Sequence, residues 1–212
     1  MQQASWQRMI PLTGVLFVIL FIIGFMIGTG PDTDKSDQDF LKWYADSGHQ
    51  TTSIVGAYFL AVAGVAMLLF MNRLRAIVAE AEGAKPIFAP FIFAGGIVFV
   101  TSLAIAAASF AAVPAGIKFG SEPMPSSADV VRFLPQMGFG AVLVLGMFPL
   151  IFAIFTSAYA SMRLSIFPSW FNWLSIVCGI VLLSAALFFP LIALGIWLIA
   201  GSWVLMKRQP TP

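Results

Sequence analysis

Residues 171–206 read FNWLSIVCGIVLLSAALFFPLIALGIWLIAGSWVLM, 36 residues without a charged side chain. As one helix this stretch would be about 54 Å long at 1.5 Å per residue, against a bilayer hydrocarbon core about 30 Å thick. Pro190 stands near its middle and lacks the N–H that an unbroken helix uses. Two membrane spans, 171–188 and 191–206, joined by a tight hairpin at Pro190, fit this length better than one.

Upstream, four more apolar runs cover 10–29, 53–71, 87–113 and 138–162. They end at Gly28-Thr29-Gly30-Pro31, at Asn72-Arg73-Leu74-Arg75, at Pro114 and at Arg163. Each is long enough for a membrane-crossing helix, which needs roughly 20 apolar residues. The first run exceeds the roughly 7–15 apolar residues of a cleaved signal peptide, so it reads as a retained span. Composition agrees. Of 212 residues 60% are hydrophobic and 9% charged, with a mean hydropathy of +0.96, where soluble domains are roughly 45–50% apolar and about 25% charged. A soluble enzyme and a disordered chain are both excluded. The expected fold is all-α: one polytopic domain over 1–212 with six transmembrane helices.

With six spans both termini share a side. That side carries Arg8, Arg73, Arg75, Lys85, Arg163, Lys207 and Arg208; the other carries Lys35, Lys42, Lys118 and Arg132, a split of seven to four. The positive-inside rule then predicts cytoplasmic termini and outer loops at 30–52 and 114–137. In the first loop, Ser36-Asp37-Gln38-Asp39 resembles a capping box with Asp in the acidic position. Phe40, Leu41 and Tyr44 follow at near-helical spacing, which predicts a short amphipathic helix over 37–46 that Gly48 ends. Its aromatic pair, Trp43 and Tyr44, suits the headgroup level. The second loop holds Pro114, Pro123, Pro125 and Pro135 and is expected to be irregular, with a short helical turn near Ala128–Phe133.

All twenty charged residues fall outside the apolar runs. Charges inside spans mark ion paths and proton relays, so the pattern speaks against a pump or an ion-coupled transporter. One Cys and one His exclude an internal disulfide and a zinc site built of Cys and His; the sequence implies no cofactor and no metal. The net charge of +2, with no basic run, implies no nucleic-acid partner. The acids Asp32, Asp34, Asp37 and Asp39 suggest calcium, but an EF-hand loop counted from Asp32 puts Asp37 and Trp43 where Gly and Glu belong. His49 near Asp46 and Ser53 has proximity without the roles that define a triad. Cys178 reads as a small buried hydrophobe.

Two neutral features remain. Small residues form faces: Gly24-x-x-x-Gly28 in the first run; Ala57, Ala61 and Gly64 in the second; Gly96, Ala104, Ala108 and Ala112 in the third; Ala153, Ser157 and Ser161 in the fourth. Such faces let helices approach closely, within the chain or against a partner. The fourth run also carries Pro149, with Gly146 nearby, which predicts a kink. Beyond it Thr156, Ser157, Tyr159 and Ser161 form the densest polar patch of any run. These hydroxyls either line a cleft or bond their own helix carbonyls. In the last run Trp197 is expected to be buried, and its N–H needs an acceptor there. Counting outward from Pro190 names Ser184.

Several short motifs recur in an ordered way. Gly30-Pro31-Asp32 precedes a helix with Trp43-Tyr44-Ala45-Asp46, Leu74-Arg75 ends the second run, and Ala94-Gly95-Gly96 opens the third. Phe167-Pro168-Ser169-Trp170 leads into Trp173-Leu174-Ser175-Ile176-Val177, and Trp197 precedes Lys207-Arg208. This order resembles a family of small, uncharacterised multi-pass membrane proteins found mostly in high-GC Gram-positive bacteria and classed as a domain of unknown function. Asn172 stands where that family's Pro-x-Trp-x-Gly-Trp pattern has Gly. The resemblance implies a six-span protein of the bacterial cell membrane and transfers no catalytic residue. Phosphoryl and acyl chemistry recruit His, acidic pairs or metals, which are scarce here, so no enzyme is expected. The expected role is a non-catalytic accessory or scaffold subunit that packs with other membrane chains or with itself. The alternative is a carrier or sensor of a small neutral or apolar ligand, using a cleft at the fourth run.

Overall fold

The computed structural model describes residues 9–31, 34–187 and 189–208. Arg8, Asp32 and Phe188, used above for the charge split, the acidic stretch and the end of the fifth run, lie outside them. A short 3-10 turn, Ile10–Leu12, leads into α1, Thr13–Gly28. Then come α2, Asp37–Ala45, α3, Ser47–Glu82, and α4, Phe88–Gly120. Helix α5, Ala128–Gly140, passes through a wide π-type turn, Ala141–Gly146, into α6, Met147–Leu164. Helix α7, Ser169–Leu182, and α8, Leu191–Lys207, complete the chain. No strand occurs among the described residues. Four helical stretches, Ile10–Gly28, Ser47–Glu82, Phe88–Gly120 and Ala128–Leu164, are long and apolar enough to cross a membrane, and α7 and α8 are apolar but shorter.

The helix boundaries have local causes. Ser36 starts α2: its hydroxyl oxygen accepts the Asp39 N–H at 3.2 Å while its O–H donates to the Asp39 carboxylate at 2.7 Å. Asp46 is extended and accepts the His49 N–H at 2.9 Å, so it closes α2 and opens α3 at once. Gly48, expected to end α2, therefore sits in the first turn of α3. At the far end Glu82 reaches over the turn at Gly83. Its carboxylate accepts the N–H groups of Ile87 and Phe88 at 2.8 Å each and of Ala89 at 2.9 Å, which supplies the orphan donors of α4.

Three expectations need correction. The loop 114–137 is mostly helical: α4 runs through a buried Pro114 to Gly120, and α5 begins at Ala128 and includes Pro135. A membrane helix tolerates proline where its surroundings accommodate the freed carbonyl. The irregularity expected at Pro149 lies one turn earlier, as the widened turn Ala141–Gly146. Such a turn carries an extra residue and ends beside the Leu145 carbonyl that the missing Pro149 N–H would have met. The terminal hairpin is real but not tight at Pro190. Helix α7 stops at Leu182, a 3-10 turn follows at Ala185–Leu187, and Pro190 is the residue that opens α8, with φ −62° and ψ −17°.

The helices form a closed ring. α3 packs between α1 and α4, α4 against α6, α6 against α7, α7 against α8, and α8 returns to α1. Phe17, Met67, Phe70, Phe99, Leu150 and Trp197 fill the interior. The outside is as apolar as the inside: Ile19, Ile22, Met26, Val62, Val65, Ile105, Phe152 and Ile196 are all exposed. A water-soluble monomer rarely shows an apolar patch larger than a few hundred Å²; this surface requires lipid.

Inside the ring the Trp197 N–H does find a hydroxyl, but not the expected one. It donates to Ser175 Oγ at 2.9 Å, whereas the Ser184 hydroxyl donates to the Val181 carbonyl at 2.8 Å within the turn. Residues 175 and 197 are equidistant from 186, not from 190. The four-residue shift of the hairpin's centre exchanges the partners.

Candidate functional site

The polar patch of α6 is divided by the helix that carries it. Ser157 and Ser161 face inward and are buried, while Tyr159 faces outward and Thr156 and Pro149 are half-buried. The Ser157 hydroxyl donates to the Ile154 carbonyl at 2.8 Å, and Ser161 Oγ accepts the Phe167 N–H at 2.8 Å. The Tyr159 hydroxyl accepts from Arg163 Nε at 3.0 Å, with the guanidinium also over its ring. Two of the four hydroxyls thus serve the helix and the loop after it, and the structure does not gather the four around one ligand.

The small-residue faces are divided as well. Gly24 and Gly28 meet α3 at Gly56, where an added Cβ would lie 2.4 Å from the Gly28 Cα and 2.9 Å from the Gly24 carbonyl oxygen. Gly64 faces Val100, Gly96 faces Met71, and Ala153 faces Gly95. Ala57 is only half-buried, and Ala61, Ala104, Ala108 and Ala112 lie on the outer surface. Gly56 and Gly95 are among the close-packing residues that the spacing argument missed. A signal for Gly56 existed: Ser53, Gly56, Leu60, Ala63 and Met67 recur at helical spacing, and all are buried.

A polar cap at the opposite end from Glu82 was also missed. Arg132 of α5 donates to the Lys35 carbonyl at 2.5 Å, pairs with Asp37 at 2.9 Å and lies 4.8 Å over the Phe40 ring. Phe40 and Tyr44 are buried with Val131 beneath it. Lys118 Nζ donates to Thr51 Oγ1 at 2.7 Å and to Ser47 Oγ at 3.1 Å, and Gln50 Nε2 to the Tyr44 carbonyl at 2.8 Å. Burial pushes the Tyr44 hydroxyl up to about 12, so it stays neutral. The His49 N–H bond holds the Asp46 carboxyl below its ordinary range, which keeps the cap of α3 ionised. His49 itself stacks on Trp43 with ring centroids 4.6 Å apart. This is an arrangement for fixing α2 onto α3, α4 and α5. No group of three His, Cys, Asp or Glu placed to hold a metal occurs among the described residues.

Several cavities open at the ring's surface, two of them lined in part by α8. One, about 290 Å³, is an apolar groove between α1 and α8 lined by Phe17, Phe21, Leu191, Gly195 and Ile199. The other, about 400 Å³, lies at the ends of α6 and α8 and is lined by aromatic and cationic side chains. The fold and its apolar exterior define an all-helical membrane protein. No protein-family model, curated protein or solved structure matches the chain.

Proposed function

We propose that the protein is a non-catalytic scaffold of a bacterial cell membrane, with six spans and with α7 and α8 as the last two, which packs with other membrane chains or with its own copies. It would belong to the family its motifs resemble. The observation that carries this reading is the unused stripe on α4: Ala104, Ala108 and Ala112 recur every four residues on a face that meets no other helix of the ring. A stripe of small side chains lets a second helix come close, and association in lipid rests on such packing. The uncharged runs offer no ion path that would suggest transport instead. Exchanging both Ala104 and Ala108 for Leu should weaken association by about tenfold, read as energy transfer between labelled copies or as recovery of a stoichiometric partner from native membranes. A wild-type protein that stays monomeric and partnerless, or a double variant that associates as well as wild type, overturns the reading.

The proposed orientation, with both termini cytoplasmic, rests on the seven-to-four split of Lys and Arg. Asp34→Cys and Lys85→Cys, each in a Cys178→Ser background, test it with an impermeant thiol reagent on intact cells. Lys85 is preferred to Gly83, whose φ of +78° any side chain would strain. Position 34 should label and 85 should not; the reverse pattern inverts the topology.

A further inference from the structure

We propose that the cavity between the α6–α7 loop and the end of α8 binds the headgroup of an anionic phospholipid. Its volume is about 400 Å³, and its lining includes Ser165, Phe167, Pro168, Trp203, Lys207 and Arg208. Three observations point to this ligand. The first is charge. Lys207 Nζ lies 3.7 Å from the centroid of the Trp203 ring and the Arg208 guanidinium 5.6 Å from that of Phe167. Neither cation forms an ion pair with a carboxylate among the described residues. The acids at this end of the ring are Glu80 and Glu82, and the Glu82 carboxylate is occupied by the three N–H groups that open α4. Two cations with aromatic backing and no acid are set for a phosphate, to which both ammonium and guanidinium donate.

The second observation is depth. Trp203 of the lining and its neighbour Trp170 are both exposed, and they pack on each other at 5.8 Å. Tryptophan concentrates where hydrocarbon gives way to headgroups. The lining also has an apolar part, Ile166 and Val204, both buried. Basic pockets between membrane helices recognise anionic headgroups at this level.

The third is rigidity. The rim is fixed before any ligand arrives: the Ile166 N–H donates to the Ser161 carbonyl at 3.0 Å, the Phe167 N–H to Ser161 Oγ at 2.8 Å, and Ser165 is held in the left-handed region at φ 52°. A site already in shape loses less freedom on binding. This also gives the buried Ser161 of the polar patch a role: it holds the rim of the cavity and does not touch the ligand.

The test is native mass spectrometry of the full chain taken from vesicles of phosphatidylcholine containing a minority of phosphatidylglycerol. The wild type should retain one phosphatidylglycerol in preference to phosphatidylcholine. K207Q/R208Q should lose that preference by on the order of tenfold, and the charge-keeping K207R/R208K should retain it. Both positions fall at the end of the last helix, so the ring's packing is not at stake. Arg75→Gln and Lys85→Gln, which remove charge elsewhere on the same side, should leave the preference unchanged. Equal loss from those variants would reduce the effect to general surface charge, and an unchanged K207Q/R208Q would remove the site. Displacement of the lipid by millimolar glycerol phosphate would reassign the cavity to a soluble phosphate compound and overturn the lipid proposal.

Discussion

Replacing Trp197 by Ala should cost about 3–5 kcal/mol of stability, the usual range for removing a buried aromatic, measured by reversible denaturant titration in mixed micelles. The indole is fully buried, stands edge-on to Phe70 at 5.6 Å and stacks on Phe171 at 6.5 Å. It therefore joins α8 to α3 and α7 in the middle of the ring. Trp197→Phe keeps most of that packing and should lose much less, about 1 kcal/mol for the hydrogen bond beyond the loss of ring volume. Ser175→Ala leaves the indole N–H unpaired and should cost about 1–3 kcal/mol, whereas Ser184→Ala should be near neutral because its hydroxyl serves only the turn. A large effect at Ser184 with none at Ser175 would mean that the hairpin is registered about Pro190 after all.

Gly56→Ile should be the most damaging substitution on α3. Even the Cβ alone would sit 2.4 Å from the Gly28 Cα and 2.5 Å from its nitrogen, and backbone does not yield as a flexible side chain does. Gly56→Ala already has to separate α1 from α3, with an expected loss of about 1–3 kcal/mol from overpacking, even though Ala is the better helix former by about 1 kcal/mol. Ile adds more atoms to the same clash and should drive α1 off the ring, seen as rapid proteolysis at the loop after Gly28. Gly140→Ala provides the control. Nothing lies within 4 Å of the position its Cβ would take, so the propensity gain should appear alone as a small stabilisation. Equal behaviour of the two alanine variants would contradict the close α1–α3 contact.

What could be read from the residues was what is local or set by length. The cap at Ser36 was legible because its partner Asp39 is three residues away. The break in 171–206 was legible because a continuous helix would outrun the bilayer. The place of the turn was not. Pro190 stands near the middle of the run, but proline's fixed φ also suits the start of a helix, and here it opens α8, so the reversal is completed before it. Pro114 misled for a related reason: in water it would end a helix, whereas here it is buried inside one. Small-residue faces were the least legible. Spacing shows that Ala104 and Ala108 share a face, but not which way that face looks. Gly56 and Ala61 lie on the same helix, and only the packing of α1 against α3 decides that one is buried and the other exposed. Arg132 escaped notice because its partners Lys35 and Asp37 are about a hundred positions away in the chain.

The shortness of α7 has a consequence for the bilayer itself. Its 14 residues cover about 21 Å at 1.5 Å per residue, some 9 Å less than a typical hydrocarbon core of about 30 Å. The turn above it shows Leu183, Leu187 and Phe189 to the outside, a surface suited to acyl chains. If α7 is the fifth span, as proposed, the membrane on this flank must thin or its tails must fold over the hairpin, at a cost of fractions of a kcal/mol per Å of mismatch. On the opposite flank the 36-residue α3 demands no such thinning. With six spans the protein would thus carry a one-sided collar of deformed lipid, and two molecules that abut along that flank would share one collar where apart they would each maintain their own.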